Sequence, residues 1–205
     1  MRVTSIEEVD KKKKKINVDG EFGFMLYNSE VRKYHIVEGE EINPEDYEEI
    51  KAALYKRAKL KTMDLLKRSD KTEQELRTKL RTAKFSDDAI DVAIEYVRSY
   101  GYIDDARYAS NFIRLKKQQK SKRALEFELQ NKGIPRDIIH QCMEEEFAYE
   151  DETEAIKKLI RKKCNNVTDV DDVKVQKIIA SICRKGFSFE KIRSAIRELE
   201  EEENL

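Results

Sequence analysis

Near the N-terminus, apolar residues alternate with polar ones, which is the pattern of a half-buried β-strand. The alternating apolar residues are Ile16, Val18, Phe22, Phe24 and Leu26. Asp19-Gly20 lies between the two runs and predicts a hairpin, because a type I′ turn needs positive φ at both central residues. The segment Val3–Val9 supplies a third strand, and Asn28 or Ser29 is expected to cap a short helix. We therefore predict a small β-rich unit over residues 1–45, which leans on the part that follows because so small a sheet is marginal alone.

From Pro44 onward, apolar residues recur every three or four positions, which predicts amphipathic helices. The same pattern occurs three times, with the second copy 49 residues after the first and the third 53 residues after the second. The copies are Leu76, Leu80, Phe85, Ile90 and Ile94; Leu125, Leu129, Ile134, Ile139 and Met143; and Ile178, Ile182, Phe187, Ile192 and Ile196. We predict a mainly α protein with three tandem three-helix repeats at 46–100, 101–148 and 149–205. Such repeats stack into an elongated array.

Each repeat has a similar turn between its second and third helices. The turns are Lys84-Phe85-Ser86, Gly133-Ile134-Pro135 and Gly186-Phe187-Ser188. Each combines an apolar staple with a serine cap or with a proline at the first helical position. Thr72, followed three residues later by Glu75, predicts a capping box at the second helix of the first repeat.

The composition excludes several classes of protein. Charged residues make up 41% of the 205 residues, against about a quarter in an average soluble domain. Six glycines and two prolines are too few for a β-sandwich or a loop-rich enzyme. The longest uncharged stretch, Phe22–Ser29, is too short to span a membrane, and no signal-peptide core is present. Three cysteines without CxxC spacing indicate reduced thiols, so we expect a cytoplasmic protein with no membrane partner.

The net charge of zero hides two basic segments. Residues 51–85 and 156–197 each contain 12 Lys/Arg and 4 Asp/Glu, whereas residues 141–155 contain seven acids and no base. The basic segments suit a phosphate backbone or an acidic protein groove. They are equally compatible with the solvated faces of helices that have narrow apolar stripes.

The sequence offers no convincing active site. His35 and His140 are the only histidines, and neither has metal-ligand spacing to a cysteine. Cys142 and Cys183 lie on or beside apolar stripes, where a thiol usually acts as a small hydrophobe. We therefore predict no catalytic residue, no cofactor and no metal.

The most distinctive string is Gly101-Tyr102-Ile103-Asp104-Asp105-Ala106-Arg107-Tyr108-Ala109. Gly101 is expected to end one helix and Asp104 to cap the next, with Asp105 in its first turn. Arg107 is spaced to pair with Asp104, and Tyr102 and Tyr108 are placed to pack where the first two repeats join. The string is therefore interpreted as a structural joint, with a binding surface as the alternative.

This string resembles the G-Y-[IL]-[DN]-D-x-x-[YF]-A hallmark of the RecX family of bacterial regulatory proteins. Arg68–Leu76 resembles the family segment R-x-x-[RK]-[ST]-x-x-E-L, and Glu128–Ile134 resembles E-L-x-x-K-G-[IV]. The N-terminal β unit is similar to an extension found in Gram-positive relatives. The chain departs from the family pattern at Lys120-Ser121-Lys122, where relatives often carry glycine, and in its near-neutral charge.

The resemblance implies a function without catalysis. RecX family proteins bind the RecA filament on single-stranded DNA and lower its ATP hydrolysis and strand exchange, which connects them to recombination, DNA repair and the SOS response. A monomer whose three repeats lie along the filament groove is the expected form. The candidate contacts to RecA or DNA are Arg77, Lys79, Arg81, Lys84, Arg114, Lys117, Lys122, Arg123, Arg184 and Lys185, with Tyr102, Asp104, Asp105, Arg107 and Tyr108 of the joint string second. The alternative function is sequence-independent nucleic-acid binding without RecA.

Overall fold

A computed structural model describes residues 1–148, 152–164 and 166–203. Its strands are β1 (Val3–Glu8), β2 (Lys13–Val18) and β3 (Glu21–Tyr27). The helices of the described residues are α1 (Asn28–Lys33), α2 (Pro44–Arg68), α3 (Glu73–Thr82), α4 (Asp87–Ser99), α5 (Asp105–Lys116), α6 (Lys122–Asn131), α7 (Arg136–Glu146), α8 (Glu152–Arg161), α9 (Asp172–Cys183) and α10 (Phe189–Glu203). The chain divides into two compact units, residues 1–104 and the described residues from Asp105 onward.

The three strands form an antiparallel sheet in the order β1-β2-β3. Asp19 and Gly20 have φ angles of 52° and 87°, so both central residues of the turn adopt the positive φ on which the hairpin prediction rested. The inner face of the sheet buries its apolar residues against Ile50 and Leu54 of α2. The β unit therefore packs against the first long helix, α2, in agreement with the prediction that it depends on the part of the chain that follows.

Helix α1 does not begin as the sequence suggested. Tyr27 occupies its N-cap position, and the Tyr27 backbone N–H donates to Glu30 Oε2 at 2.9 Å. Asn28 is instead the first helical residue, and its side-chain NH2 group donates to the Lys11 carbonyl at 3.1 Å. The expected cap at Asn28 or Ser29 is therefore wrong, since the helix begins one residue earlier than a cap at Asn28 allows.

The three predicted repeats are confirmed as three-helix groups: α2–α4, α5–α7 and α8–α10. Every apolar position of the repeating pattern is buried except Phe85, which is partly exposed. Each repeat has its own apolar core. Helix α2 is shared, because Ile50 and Leu54 pack under the sheet whereas Ala58 belongs to the core of the first repeat.

The helix starts follow most of the predicted capping. Thr72 and Glu75 form the capping box, with each side chain accepting the other's backbone N–H at 3.2 Å. The Ser188 hydroxyl accepts from the Lys191 N–H at 3.3 Å. Ser86 occupies the N-cap of α4 without a side-chain cap hydrogen bond. The sequence predicted Pro135 at the first helical position of α7. In the structure Pro135 is the N-cap residue, one position earlier.

The turns before the third helices share a left-handed residue. Its φ is 63° at Lys84, 77° at Gly133 and 92° at Gly186. At Gly186 a Cβ atom would lie 2.5 Å from Ser121 Oγ and 2.8 Å from the Ala124 side chain. The Ser121 N–H also donates to the Lys185 carbonyl at 3.1 Å. The turn of the third repeat therefore packs against the start of α6 so closely that only glycine fits.

Candidate partner-binding surfaces

Arg77, a predicted contact in the first repeat, is engaged by the fold. Its guanidinium lies 2.8 Å from Glu73 of α3 and 2.6 Å from Asp91 of α4. Arg98 also pairs with Glu73. Burial acts to raise the pKa of the Glu73 carboxyl, but the hydrogen bonds from Arg77 and Arg98 together bring that pKa below its ordinary value. Arg77 thus crosslinks α3 and α4 and has little capacity left for a partner.

The other three candidates of the first repeat are exposed. Lys79 and Lys84 form no ion pair with another described residue, and Arg81 pairs with the exposed Asp87 at 3.1 Å. Arg81 and Lys84 line a cleft of about 420 Å³. The other lining residues are Val9, Lys15, Phe22, Met25, Phe85, Ser86 and Asp87. The structure therefore brings two candidate cations to the same cleft as Lys15 of β2.

In the second repeat, three of the four candidates converge on the end of α7. The Arg114 guanidinium makes two contacts to the Glu146 carboxylate, at 2.9 and 2.7 Å, and this hydrogen bonding raises the pKa of Arg114. Lys117 donates to the Glu146 carbonyl at 3.0 Å, and the Lys122 ammonium lies 4.7 Å from the Phe147 ring centroid. Of the four candidates in the second repeat, Arg123 alone is exposed and forms no ion pair with another described residue.

The two candidates of the third repeat differ in their surroundings. Arg184 is exposed and forms no ion pair with another described residue. Lys185 is half-buried, and its carbonyl accepts the Ser121 N–H. Lys79, Lys84, Arg123 and Arg184 are therefore the predicted cations that remain most available to a partner.

The joint string is mostly engaged within the protein. Asp104, Asp105 and Arg107 each make an internal polar or electrostatic interaction. Tyr108 stacks on Phe112 with ring centroids 6.3 Å apart, and the Lys132 ammonium lies 5.3 Å from the Tyr108 centroid. These internal contacts favour the capping and packing interpretation of the string over a contact role.

Tyr102 leads instead to a surface that the sequence analysis missed. The rings of Tyr96, Tyr100 and Tyr102 form a ladder, with centroid distances of 5.0 Å and 6.0 Å between successive rings. Tyr100 is 63% exposed and Tyr102 is 49% exposed. The Lys59 ammonium lies 5.0 Å from the Tyr96 centroid. The spacing of Tyr96 on α4 and Tyr100 at its C-cap, four residues apart, was the available signal.

The histidines and cysteines, which the sequence analysis weighed for chemistry, lie in ordinary surroundings within the described residues. No group of three or more His, Cys, Asp or Glu residues that could hold a metal occurs within the described ranges. His140 lies 3.5 Å from Glu144 on the exposed side of α7, and His35 lies in the turn after α1. Cys142, Cys164 and Cys183 are free thiols. Within the part of the chain that the structure covers, no helix has the length and apolarity needed to cross a membrane.

The fold defines this chain as a protein of three tandem three-helix repeats that follow a small antiparallel sheet. Sequence models of the first, second and third three-helix domains of RecX match residues 58–96, 104–143 and 150–196 in that order. The chain is 30% identical over 210 aligned positions to Regulatory protein RecX of Clostridium acetobutylicum, covering 98% of both chains. It is 31% identical to Regulatory protein RecX of Caldanaerobacter subterraneus subsp. tengcongensis, covering 96% of this chain and 98% of that one. The chain belongs to the RecX family of regulatory proteins.

Solved structures agree with this fold. The crystal structure of a regulatory protein RecX superposes with a TM-score of 0.60 at 23% identity and covers 96% of this chain. The crystal structure of RecX from Lactobacillus salivarius gives a TM-score of 0.60 at 25% identity and covers 72% of this chain. The matches cover 98% and 97% of those two chains, respectively.

Proposed function

We propose that this protein is a non-enzymatic cytoplasmic regulator that binds the RecA filament on single-stranded DNA. In this role it lowers the ATPase and strand-exchange activities of RecA in recombination and DNA repair, and it acts as a monomer. The observation that carries the proposal is the similarity to proteins named Regulatory protein RecX over 98% of both chains. A regulator of this kind works by occupying a surface, so it needs exposed contacts and no catalytic centre.

Exposed cations in each repeat support binding to an acidic partner. Lys79, Arg123 and Arg184 are exposed, one in each repeat, and none forms an ion pair with another described residue. Each repeat therefore keeps one predicted cation available to such a partner. Charges of this kind contribute mainly to the rate of association and its salt dependence.

The test is the DNA-dependent ATPase rate of RecA from the same organism while this protein is titrated in. We expect the rate to fall. A fall well below one protein per RecA favours capping of filament ends or filament disruption, whereas a fall only near saturation favours coating of the groove. An unchanged rate would overturn the proposal.

Charge-reversal variants show whether the exposed cations are responsible. The test variant combines Lys79→Glu, Arg123→Glu and Arg184→Glu, which we expect to weaken inhibition at least about tenfold with unchanged helicity. The control combines Lys61→Glu, Lys67→Glu and Arg136→Glu, which changes the net charge equally at other exposed positions. Equal inhibition by both variants would contradict a role for the three candidates.

The tyrosine ladder favours a second candidate function, binding of single-stranded nucleic acid without RecA. Proteins of this class stack bases on exposed aromatic rings beside cations. Tyr100 and Tyr102 are exposed residues, and Lys59 lies beside Tyr96. Because each stacked base contributes about 1–3 kcal/mol, Tyr100→Ala with Tyr102→Ala should weaken single-stranded DNA binding at least tenfold. Tyr27→Ala, at another exposed tyrosine, is the control, and equal DNA affinity of all variants would exclude this function for the ladder.

A further inference from the structure

Helices α9 and α10 of the third repeat form an open groove with a volume of about 590 Å³. Its apolar lining consists of Val175, Ile179, Ala180, Phe189 and Ile196. Its polar lining consists of Gln176, Arg193, Arg197 and Glu200. Phe189 is 52% exposed, and the Arg193 guanidinium lies 5.7 Å from its ring centroid. The groove therefore combines an aliphatic floor with two arginines along one helix.

The equivalent positions of the first repeat have different chemistry. The repeat offset of 102 residues aligns Val175 with Glu73, Ile179 with Arg77, and Arg193 with Asp91. In the first repeat these three charged residues are joined by ion pairs of 2.8 and 2.6 Å, which occupy the space between the helices. In the third repeat, neither Arg193 nor Arg197 forms an ion pair with another described residue. The third repeat thus has an open groove at the place where the side chains of Glu73, Arg77 and Asp91 pair with one another in the first repeat.

We propose that the α9–α10 groove binds an amphipathic helix of a partner protein, with acidic side chains beside an aliphatic stripe. The aliphatic floor suits the apolar face of a helix laid in a groove. Arg193 and Arg197 suit carboxylates, because a guanidinium binds a carboxylate through two parallel hydrogen bonds. Glu200 determines the direction in which the partner helix lies, because the end of that helix beside Glu200 must carry no acidic residue. A nucleic acid fits less well, since Phe189 is the only aromatic ring in the lining. The inference rests on the proposed function in one respect, that RecA supplies the helix.

The first test measures the affinity of the full-length chain for RecA filaments on single-stranded DNA, by anisotropy of a fluorescent label. Ala180→Glu places a carboxylate in the groove at an exposed position without disturbing the core. We expect it to weaken binding at least tenfold, and Arg193→Glu with Arg197→Glu to do the same. Ala180→Lys, equally bulky but positive, should weaken binding less, because it retains attraction to an acidic helix.

The matched control is Val173→Glu on the same helix. Val173 is 61% exposed and lies outside the groove, so this variant should bind the filament as the unmodified chain does. If the unmodified chain binds and the groove variants bind equally well, the groove proposal is overturned while the proposed function stands. If the unmodified chain does not bind, the proposed function fails, and a RecA-independent measurement decides about the groove.

That measurement is an amide NMR titration of the labelled full-length chain with two synthetic helical peptides. Both peptides carry the same leucine stripe, flanked by glutamates in one and by lysines in the other. We expect the acidic peptide to shift amides of residues 175–180 and 189–197, and the basic peptide to shift them much less. Equal shifts with both peptides, or shifts confined to other residues, would overturn the proposal.

Discussion

The first and third repeats share a three-helix scaffold but differ in the surface between their second and third helices. Between α3 and α4 the outer surface is closed by an ionic network in which Glu73 accepts from Arg77 and Arg98. Between α9 and α10 the matching surface is aliphatic and open, with Arg193 on its edge. Four of the five positions of the repeating apolar pattern are buried in both repeats, and the fifth is buried at Phe187 but partly exposed at Phe85, so most of the difference lies in the residues that surround the core. The buried apolar residues determine the three-helix fold of each repeat. The residues around them determine whether the surface between the second and third helices is crossed by ion pairs or forms an open groove.

The turns of the two repeats differ in a corresponding way. Lys84 adopts positive φ in the first repeat at an exposed position, whereas Gly186 adopts it in the third against Ser121. A lysine is tolerated where the turn faces solvent. Glycine is required where the turn touches the neighbouring repeat.

The largest expected effect is on stability, at the glycine of the third repeat. Gly186→Ala adds a methyl group 2.5 Å from the Ser121 oxygen that caps α6, so we expect a loss of about 2–4 kcal/mol from overpacking and strain together. Gly101→Ala is the control, because Gly101 also has positive φ but its Cβ would meet no atom within 4 Å. That change should cost only about 1 kcal/mol. Urea unfolding measures both, and equal losses would refute the close-contact explanation.

The ionic network of the first repeat should have the next largest effect. Arg77→Met leaves Glu73 and Asp91 without their shared cation, and we expect a loss of about 1–2 kcal/mol, because the Arg77 and Glu73 side chains are only partly exposed. Arg81→Met removes an exposed pair and should cost less than about 0.5 kcal/mol. Thermal or urea unfolding of the two variants tests this order, and a larger loss for Arg81→Met would contradict it.

Transferring the first repeat's network into the third repeat tests the comparison itself. Val175→Glu, Ile179→Arg and Arg193→Asp place the three charges of the network at equivalent positions. We expect the helical content to persist while filament affinity falls at least tenfold, about 1.4 kcal/mol, because the groove is filled from within. Circular dichroism and filament binding are measured together. Full affinity in the folded variant would show that the open groove is not the difference that matters.

The smallest expected effect concerns pH. The Glu203 carboxylate accepts N–H hydrogen bonds from Val167 and Thr168, and these lower its pKa from the ordinary value of 4.5. The resulting stability is fully present above pH 4.5 and is lost as pH falls through the lowered folded-state pKa. Glu203→Gln should lower the melting temperature at pH 7 by a few degrees and make it fall less on acidification.

Glu201→Gln is the control for the pH experiment, since Glu201 is exposed and makes no hydrogen bond to another described residue. Its melting temperature should follow that of the unmodified chain between pH 7 and pH 3. Identical acid dependence in all three proteins would show that the Glu203 contacts do not contribute to stability.

Local sequence signals predicted the scaffold well. The hairpin at Asp19-Gly20, the capping box at Thr72 and the repeating apolar positions depend on neighbours close in sequence or on a fixed period, so the chain reveals them directly. The domain boundaries at 45, 100 and 148 remain a prediction, because none of the observations tests them. The cap at Tyr27 was missed because tyrosine is not among the residues preferred at an N-cap, and the hydrogen bond there comes from the Tyr27 backbone to Glu30.

The surfaces were harder to predict because they depend on pairing across helices. A basic residue is available to a partner only if no acid lies beside it in the fold, and Arg77 and Arg114 fail that condition through Asp91 and Glu146. Lys79 and Arg184 meet it, yet their sequence contexts look no different. The open groove depends on how the side chains of α9 and α10 pack against each other, which residues of two different helices determine together.

The most direct measurement is co-sedimentation of the unmodified chain with RecA filaments assembled on single-stranded DNA. We expect the chain to pellet with the filaments at micromolar concentration and to stay in the supernatant with the DNA alone. A chain that remains in the supernatant with filaments, or that pellets equally with bare DNA, would contradict regulation through the filament.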